Sequence, residues 1–337
     1  MEAERLAQIV DQFQSCRIAV IGDLMLDVYL WGKVTRISPE APVPVVEIEH
    51  VNCCLGGAAN VMRNLATLGG SALAFGLVGD DSDGVELRRQ LVDYGISDRM
   101  IATDAGRRTT KKERVIAGSQ QLMRLDHEDL YEASEELRET MVEEVLKLIR
   151  KRAVDAVIFE DYGKGMLSGG MLQTIVEEAD RHGVITALDP KPGNLPPVRN
   201  LTIIKPNRLE AAAMAGLPPG LHDRLPPGEK LDRVAERLRE LWNPRYLLIS
   251  LAAEGMALYS REGGKSVIPT RAREVFDVSG AGDTVVAAFT LALAAGATPE
   301  EAAEIGNYAA GVVVGKVGTV TVSAEELKEE LKSRSEV

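Results

Sequence analysis

Six short runs, continuously apolar rather than alternating, constrain this chain more than any other feature. They are RIAVIG (Arg17–Gly22), ALAFGLVG (Ala72–Gly79), DAVIFED (Asp155–Asp161), GVITALD (Gly183–Asp189), LTIIKPN (Leu201–Asn207) and YLLIS (Tyr246–Ser250). A strand that is apolar on both sides needs cover on both faces, the condition met inside a parallel sheet flanked by helices. Helical patterns over Ser134–Arg152, Ser168–Arg181 and Lys230–Trp242 fall between the runs. The alternation predicts an α/β fold, a doubly wound, mainly parallel sheet with helices on both faces. A chain of 337 residues can bury a large core, and 1–337 is read as a single domain.

Two segments depart from that pattern. One, at about 28–53, contains VTRISPEAPVPVVEIEHV with Pro39, Pro42 and Pro44 closely spaced. The other, at about 99–126, contains TTKKERVIAGSQQLMRLD, which alternates as a half-exposed sheet does. Prolines suit edge strands and turns, so both segments are expected to project from the main sheet as a small β lid. The alternative is a pair of surface hairpins without a role. PPGLHDRLPPGEK (Pro218–Lys230) reads as a loop.

Charge removes some partners. A net charge of −12 argues against nucleic acid, whose phosphates demand a basic face. Cys16, Cys53 and Cys54 are too few and wrongly spaced for a disulfide framework or a zinc site. MEAERLAQIVDQF is amphipathic with no apolar signal core, and the longest apolar run, Thr284–Ala297, is short of the roughly 20 residues of a membrane span. The expectation is a soluble, cytoplasmic protein with no membrane contact.

The most pointed motif is DVSGAGDTVVAAF (Asp277–Phe289), an acidic glycine turn set directly before a long uncharged run. A helix start carries unpaired N–H groups and partial positive charge, and glycines before it let a ligand approach the backbone. Gly280, Ala281 and Gly282 would aim their amides at a phosphate, with Asp283 in the first turn beside them. A carboxylate there can take a proton from an attacking hydroxyl, although an acidic first-turn residue also stabilises any helix. No GxxxxGK[ST] loop is present, because Tyr259 occupies the upstream glycine position before Gly264-Lys265-Ser266. The dinucleotide pattern GxGxxG fails too, with Val285 at its third glycine. A second glycine pair, Gly56-Gly57 in LGGAANV, opens a helix carrying Asn60, whose amide can donate and accept to sugar hydroxyls. GDLMLD places Asp23 and Asp27 after the first strand, where ligands bind in such sheets. Asp27 suits paired sugar hydroxyls, whereas Asp23 could equally cap a turn.

LGGAANV and DVSGAGDTVVAAF, in this order, resemble the two motifs of the PfkB or ribokinase-like family of carbohydrate kinases, and the resemblance runs from about Arg17 to Ser323. It implies a ribokinase-like fold, Asp283 as catalytic base, the Gly280–Gly282 amides as anion hole, and Asp27, Gly56, Gly57 and Asn60 as sugar ligands. KPNRLE carries the family's NxxE motif on Asn207 and Glu210. The resemblance gives those two residues to Mg²⁺ and the ATP phosphates, through water, and Lys205 to a phosphate. Taken alone, NxxE at a helix start is a capping pair. Asn307 and the Ser250–Gly255 strand end would border the adenine. SLAAEG stands where many relatives have Thr and a further Gly. ATP and Mg²⁺ are the implied cofactors, with a monovalent cation as a further candidate.

Within the family, RISPEAPVPVV, the DYGKG of Asp161–Gly165, the DPK of Asp189–Lys191 and AAGVVVGKVGTVTVS are similar to kinases of D-glycero-β-D-manno-heptose 7-phosphate. The implied reaction phosphorylates the anomeric O1, giving the 1,7-bisphosphate. No HxGH motif is present, so kinase activity alone is expected, without the adenylyltransferase found fused to some such kinases. Lys112, Arg114, Lys164 and Lys191, with Arg36 and Arg124, are candidates for the distal phosphate. Each is more often a solvated charge than a ligand. If strand-borne, Lys112 shares a face with Arg114 and Lys111 points away. A homodimer through the lid is expected, since an exposed sheet edge seeks a partner. Rival readings are a PfkB kinase for a hexose phosphate or ribose, and a non-catalytic sugar- or nucleotide-binding regulator on the same fold.

Overall fold

The computed structural model describes residues 3–118, 120–217, 227–272 and 275–333. Its main sheet has nine strands in the order β13 (Lys265–Ile268), β12 (Met256–Ser260), β11 (Tyr246–Ser250), β10 (Ile203–Ile204), β9 (Ile185–Asp189), β8 (Ala156–Glu160), β1 (Arg17–Gly22), β4 (Ser71–Gly79) and β5 (Ile101–Asp104). The seven strands from β11 to β5 run parallel, and β12 and β13 add an antiparallel edge. Ten helices are described: α1 (Ala3–Asp11), α2 (Ala58–Thr67), α3 (Ser82–Asp93), α4 (Glu135–Arg150), α5 (Gly169–His182), α6 (Arg208–Ala215), α7 (Pro227–Trp242), α8 (Ala281–Ala294), α9 (Pro299–Val314) and α10 (Ala324–Ser333). No helix among the described residues is long and apolar enough to cross a membrane.

The unbroken apolar runs follow from two cores, one on each face of the sheet. Ile18 and Val20 of β1 belong to one core with Leu6, Val61, Phe289 and Ala303, while Ala19 and Ile21 belong to the other with Val145, Ile175 and Leu238. Helix α8 lies deep in the first of these layers, with every residue from Asp283 to Ala292 buried. That burial is why the sequence carries no charge there after Asp283.

A second sheet, in the order β3 (Pro44–Gly57), β2 (Leu24–Ile37), β6 (Thr110–Ala117) and β7 (Gln120–His127), grows from the end of β1 and returns through β3 into α2. It contains most of the segments 28–53 and 99–126, but Ile101–Asp104 pairs with β4 in the main sheet. Val34, Ile48, Val51, Met123 and Leu125 of this sheet are exposed. The reading LTIIKPN contracts to the two residues of β10, because Pro206 has no N–H to give and Asn207 already caps α6. The loop read at Pro218–Lys230 lies outside the described residues as far as 226, and 227–230 form the first turn of α7.

Parallel strands put their carboxyl ends on one edge, and the register decides which side chains meet there. Gly22 pairs with Glu160, and Glu160 with Asp189. Ile204 pairs with Leu188, so Lys205 stands level with Asp189. A Cβ on Gly22 would lie 2.3 Å from the Glu160 carbonyl oxygen. Gly22→Ala is therefore expected to cost about 1–3 kcal/mol in denaturant unfolding, as overpacking does. Gly170→Ala, where a Cβ meets nothing within 4 Å, should leave stability unchanged or slightly raised.

Candidate active site

Gly280 precedes α8 with φ of 75°, a left-handed conformation that favours glycine, and a Cβ there would come 2.8 Å from the Asn60 Nδ2. Of the three amides expected to form an anion hole, that of Ala281 donates to the Val278 carbonyl at 3.2 Å. Those of Gly280 and Gly282 have no protein acceptor among the described residues, so the site offers two amides rather than three. Asp283 follows in the first turn, 6% exposed. Its Oδ2 accepts from Asn60 Nδ2 and its Oδ1 from the Tyr162 hydroxyl, both at 2.7 Å. Burial raises the Asp283 carboxyl above the usual range, opposed by the Asn60 and Tyr162 hydrogen bonds and the Lys205 charge. Asn60, taken from sequence as a sugar ligand, is wholly buried, and its carbonyl oxygen accepts from Arg63 at 2.8 Å. Its amide thus orients Asp283.

Beneath α8, the strand ends form a charged floor. Lys205 Nζ lies 2.8 Å from Asp189 Oδ2, and a Cβ on Gly282 would lie 3.3 Å from that ammonium. Burial pushes Asp189 up to about 6 against the pull of Lys205. Burial also works against the Lys205 charge, but Asp189 and then Glu160 hold its pKa above the ordinary value. Glu160 is fully buried, and burial, then the charges of Asp189 and Asp283, push it well above a normal glutamate.

The second sheet faces this floor. Asp27 is ion-paired with Arg114 at 2.5 Å. A Cβ on Gly56 would sit 2.6 Å from Asp27 Oδ2, so glycine lets β3 pass that carboxylate without displacing it. Gly57, at φ 54°, starts α2. Lys112 has no ion pair among the described residues and lies 5.6 Å above the Tyr162 ring. Burial, then the charge of Lys164, holds Lys112 below the ordinary lysine value. Lys164 is committed to Glu128 at 2.6 Å, and Arg124 to Asp126 at 2.7 Å. Lys191 is exposed and gives its backbone N–H to Asp161, while Arg36 is exposed near the far end of β2. Lys111 pairs with Asp83 at 2.8 Å on the face away from Lys112.

The DYGKG loop is braced from two sides. Asp23 accepts the N–H groups of Tyr162, Lys164 and Met166 at 2.9, 3.0 and 3.2 Å. Asp161 accepts from the Gly163 and Lys191 N–H groups and from Asn194 Nδ2. Asp23 is therefore a turn anchor, the second of its two sequence readings.

Across the cleft, Asn207 and Glu210 close a reciprocal capping box at the start of α6, with bonds of 2.9 and 2.8 Å. Asn207 also bridges to Ser250 at the end of β11. Gly255 and Asn307 meet the chain just after β13. A Cβ on Gly255 would lie 2.0 Å from the Ile268 carbonyl, and Asn307 Nδ2 donates to the Pro269 carbonyl at 2.6 Å. Sequence reasoning gave no role to Tyr162, Glu160 or Asp189. Tyr162 and Asp189 entered only within the DYGKG and DPK stretches that carry the resemblance, and the clusters FEDYGKG and LDPKPG at the ends of apolar strands were the local signal.

The site thus sets a positioned carboxylate, unpaired amides and a lysine at the carboxyl edge of a parallel sheet. That combination accepts a proton and holds an anion. The family model described as pfkB family carbohydrate kinase matches residues 16–326. A protein named Bifunctional protein HldE from Desulfatibacillum aliphaticivorans is 40% identical over 335 residues, covering 99% of this chain and 67% of that one. Its namesake from Caulobacter sp. (strain K31) is 42% identical over 324 residues, covering 96% and 64%. The chain spans about two thirds of the length of these relatives. Among solved structures, Phosphofructokinase-2 from Escherichia coli in complex with potassium superposes with a TM-score of 0.75 at 20% identity, covering 95% of this chain and 99% of that one. Arabidopsis thaliana ribokinase complexed with ribose and ATP gives 0.71 at 19% identity, covering 94% and 99%. Fold, motifs and relatives agree: the chain belongs to the PfkB family of carbohydrate kinases, phosphotransferases that use an alcohol group as acceptor.

Proposed function

We propose that the chain transfers the γ-phosphoryl group of ATP to the anomeric O1 of D-glycero-β-D-manno-heptose 7-phosphate. The observation that carries the mechanism is Asp283, buried and held by Asn60 and Tyr162 beside the unpaired amides of Gly280 and Gly282. Asp283 takes the O1 proton as the new O1–P bond forms and the bond from the γ-phosphorus to the β,γ-bridging oxygen breaks, releasing ADP. The two amides and Lys205 hold the charge of the moving group, since phosphoryl transfer depends on positioning and electrostatics. The cleft suits a divalent cation, because its free donors are carboxylate oxygens and Glu160 lacks any partner among the described residues. Mg²⁺, when bound, supplies charge neutralisation at the phosphates, with Asn207 and Glu210 holding it through water.

The choice of sugar is supported by the RISPEAPVPVV, DYGKG and DPK stretches and by relatives named HldE at about 40% identity. Asp27 with Gly56 and Gly57 would meet the sugar hydroxyls, and Lys112, with no ion pair among the described residues, is the readiest cation for the distal phosphate. A panel of sugars and sugar phosphates in a coupled ADP assay, with phosphorus NMR locating the new phosphate, tests the reading. Heptose 7-phosphate should be preferred, and Asp283→Asn should lose about 10²–10⁴-fold in kcat, the usual general-base share. A hexose phosphate or ribose as best substrate would replace the sugar, and ATP binding without transfer to any sugar would leave a regulator.

Asp283 must be ionised to act, so activity is lost as pH falls through its pKa. Tyr162→Phe removes a hydrogen bond that lowers that pKa, so the acid limb of the kcat/KM profile should move to higher pH while the fold persists. A limb that stays in place would separate Tyr162 from the base.

The exposed Val34, Ile48, Val51, Met123 and Leu125 support a homodimer through the second sheet. Sedimentation velocity at micromolar concentration should give twice the chain mass. A single-chain mass across that range would remove the dimer.

A further inference from the structure

Asn60 donates one of the two hydrogen bonds that hold Asp283, and a side-chain amide can present either of its ends to a neighbour. What decides the end is Arg63, three residues further along α2 and so on the same helix face. Arg63 is 5% exposed, and its Nη2 donates to Asn60 Oδ1 at 2.8 Å and to the Thr319 carbonyl at 2.9 Å. A guanidinium has donors only, and an ionised carboxylate has acceptors only. With Arg63 on one side and Asp283 on the other, a reversed Asn60 amide would set donor against donor and acceptor against acceptor. The guanidinium itself is poorly compensated. Both of its acceptors are neutral, and its Nε has no partner among the described residues. Cys54 beside it supplies no negative charge, because burial pushes that thiol up to about 11. Burying a guanidinium without a counter-ion is expensive, and a neutral side chain would suffice to fill the space.

We propose that Arg63 is a positioning residue for phosphoryl transfer, fixing the Asn60 amide so that Asp283 meets a donor and keeps its direction toward the acceptor hydroxyl. The inference rests on Asp283 being the base. It reaches the second sheet as well, because Thr319, the guanidinium's other partner, shares a hydrogen bond of 2.6 Å between its hydroxyl and that of Tyr29 in β2. The Tyr29 ring in turn lies 5.3 Å from the guanidinium of Arg114, which pairs with Asp27. One series of contacts thus ties the sugar end of the cleft to the base, with Arg63 as the link between them.

The test is steady-state kinetics, with the best acceptor of the sugar panel, on the wild type, Arg63→Met, Asn60→Ala and the double variant. Arg63→Met should lower kcat about tenfold to a hundredfold and leave KM for ATP within about twofold. Because Arg63 acts through Asn60, the double variant should be no slower than Asn60→Ala alone. Three results overturn the proposal and leave Arg63 as a structural brace: wild-type kcat in Arg63→Met, a loss that persists undiminished in the Asn60→Ala background, or a KM for ATP that rises as far as kcat falls. Should Arg63→Met fail to fold, Arg63→Lys takes its place in the same cycle, keeping the charge on a side chain too short to serve both oxygens. A lower kcat that disappears in the Asn60→Ala background then supports the role, and an unchanged kcat or a persistent loss overturns it. Asp283→Asn, run alongside, separates the two readings. Full activity there removes the base itself, whereas loss of activity there beside wild-type kcat in Arg63→Met removes Arg63 alone.

Discussion

Two hydrogen bonds fix Asp283, and their donors lie far away in sequence, Asn60 at a separation of 223 residues and Tyr162 at 121. The two bonds form together only when α2, the loop after β8 and α8 are all docked against the same strand ends. The parallel register makes that docking possible. It brings Gly22, Glu160, Asp189 and Lys205 to one edge, where only glycine at position 22 lets β1 and β8 close. The carboxylate is therefore held by tertiary structure, and a helix cap alone would leave its direction undetermined.

The same edge concentrates charge in a way a stable core would avoid. Three carboxyls and one lysine sit together, largely buried, and burial raises all three acids. Such a cluster is retained where a ligand completes it, because perturbed groups gather at sites of chemistry.

Much of this was legible in the sequence because glycine and apolar continuity are local signals. The runs at Arg17–Gly22 and Tyr246–Ser250 coincide with β1 and β11, and the α/β alternation is the one observed. The antiparallel edge of β12 and β13 was not read, since MALYS and KSVI are short and lack a paired-strand signature beyond Gly263-Gly264 between them. At the site, the glycines of both motifs were legible as helix starts open to a ligand, and Gly280 and Gly57 do stand there at positive φ, whereas Tyr162 could not be assigned to Asp283 without the fold. Asn60 and Asn307 show the opposite limit. Residue type gave their capacity for hydrogen bonding, but only packing decides that Asn60 holds Asp283 and Asn307 holds Pro269.

The depth of α8 has a mechanical consequence. A helix enclosed on every side from Asp283 to Ala292 cannot tilt or slide without opening the interior, so it behaves as a fixed anvil. Any adjustment to a substrate's shape falls to the second sheet, whose grip on the main body includes the hydrogen bond between the Tyr29 and Thr319 hydroxyls and the contact of Lys112 with Tyr162. Discrimination among acceptors would then reside in the movable half, and transfer in the rigid one.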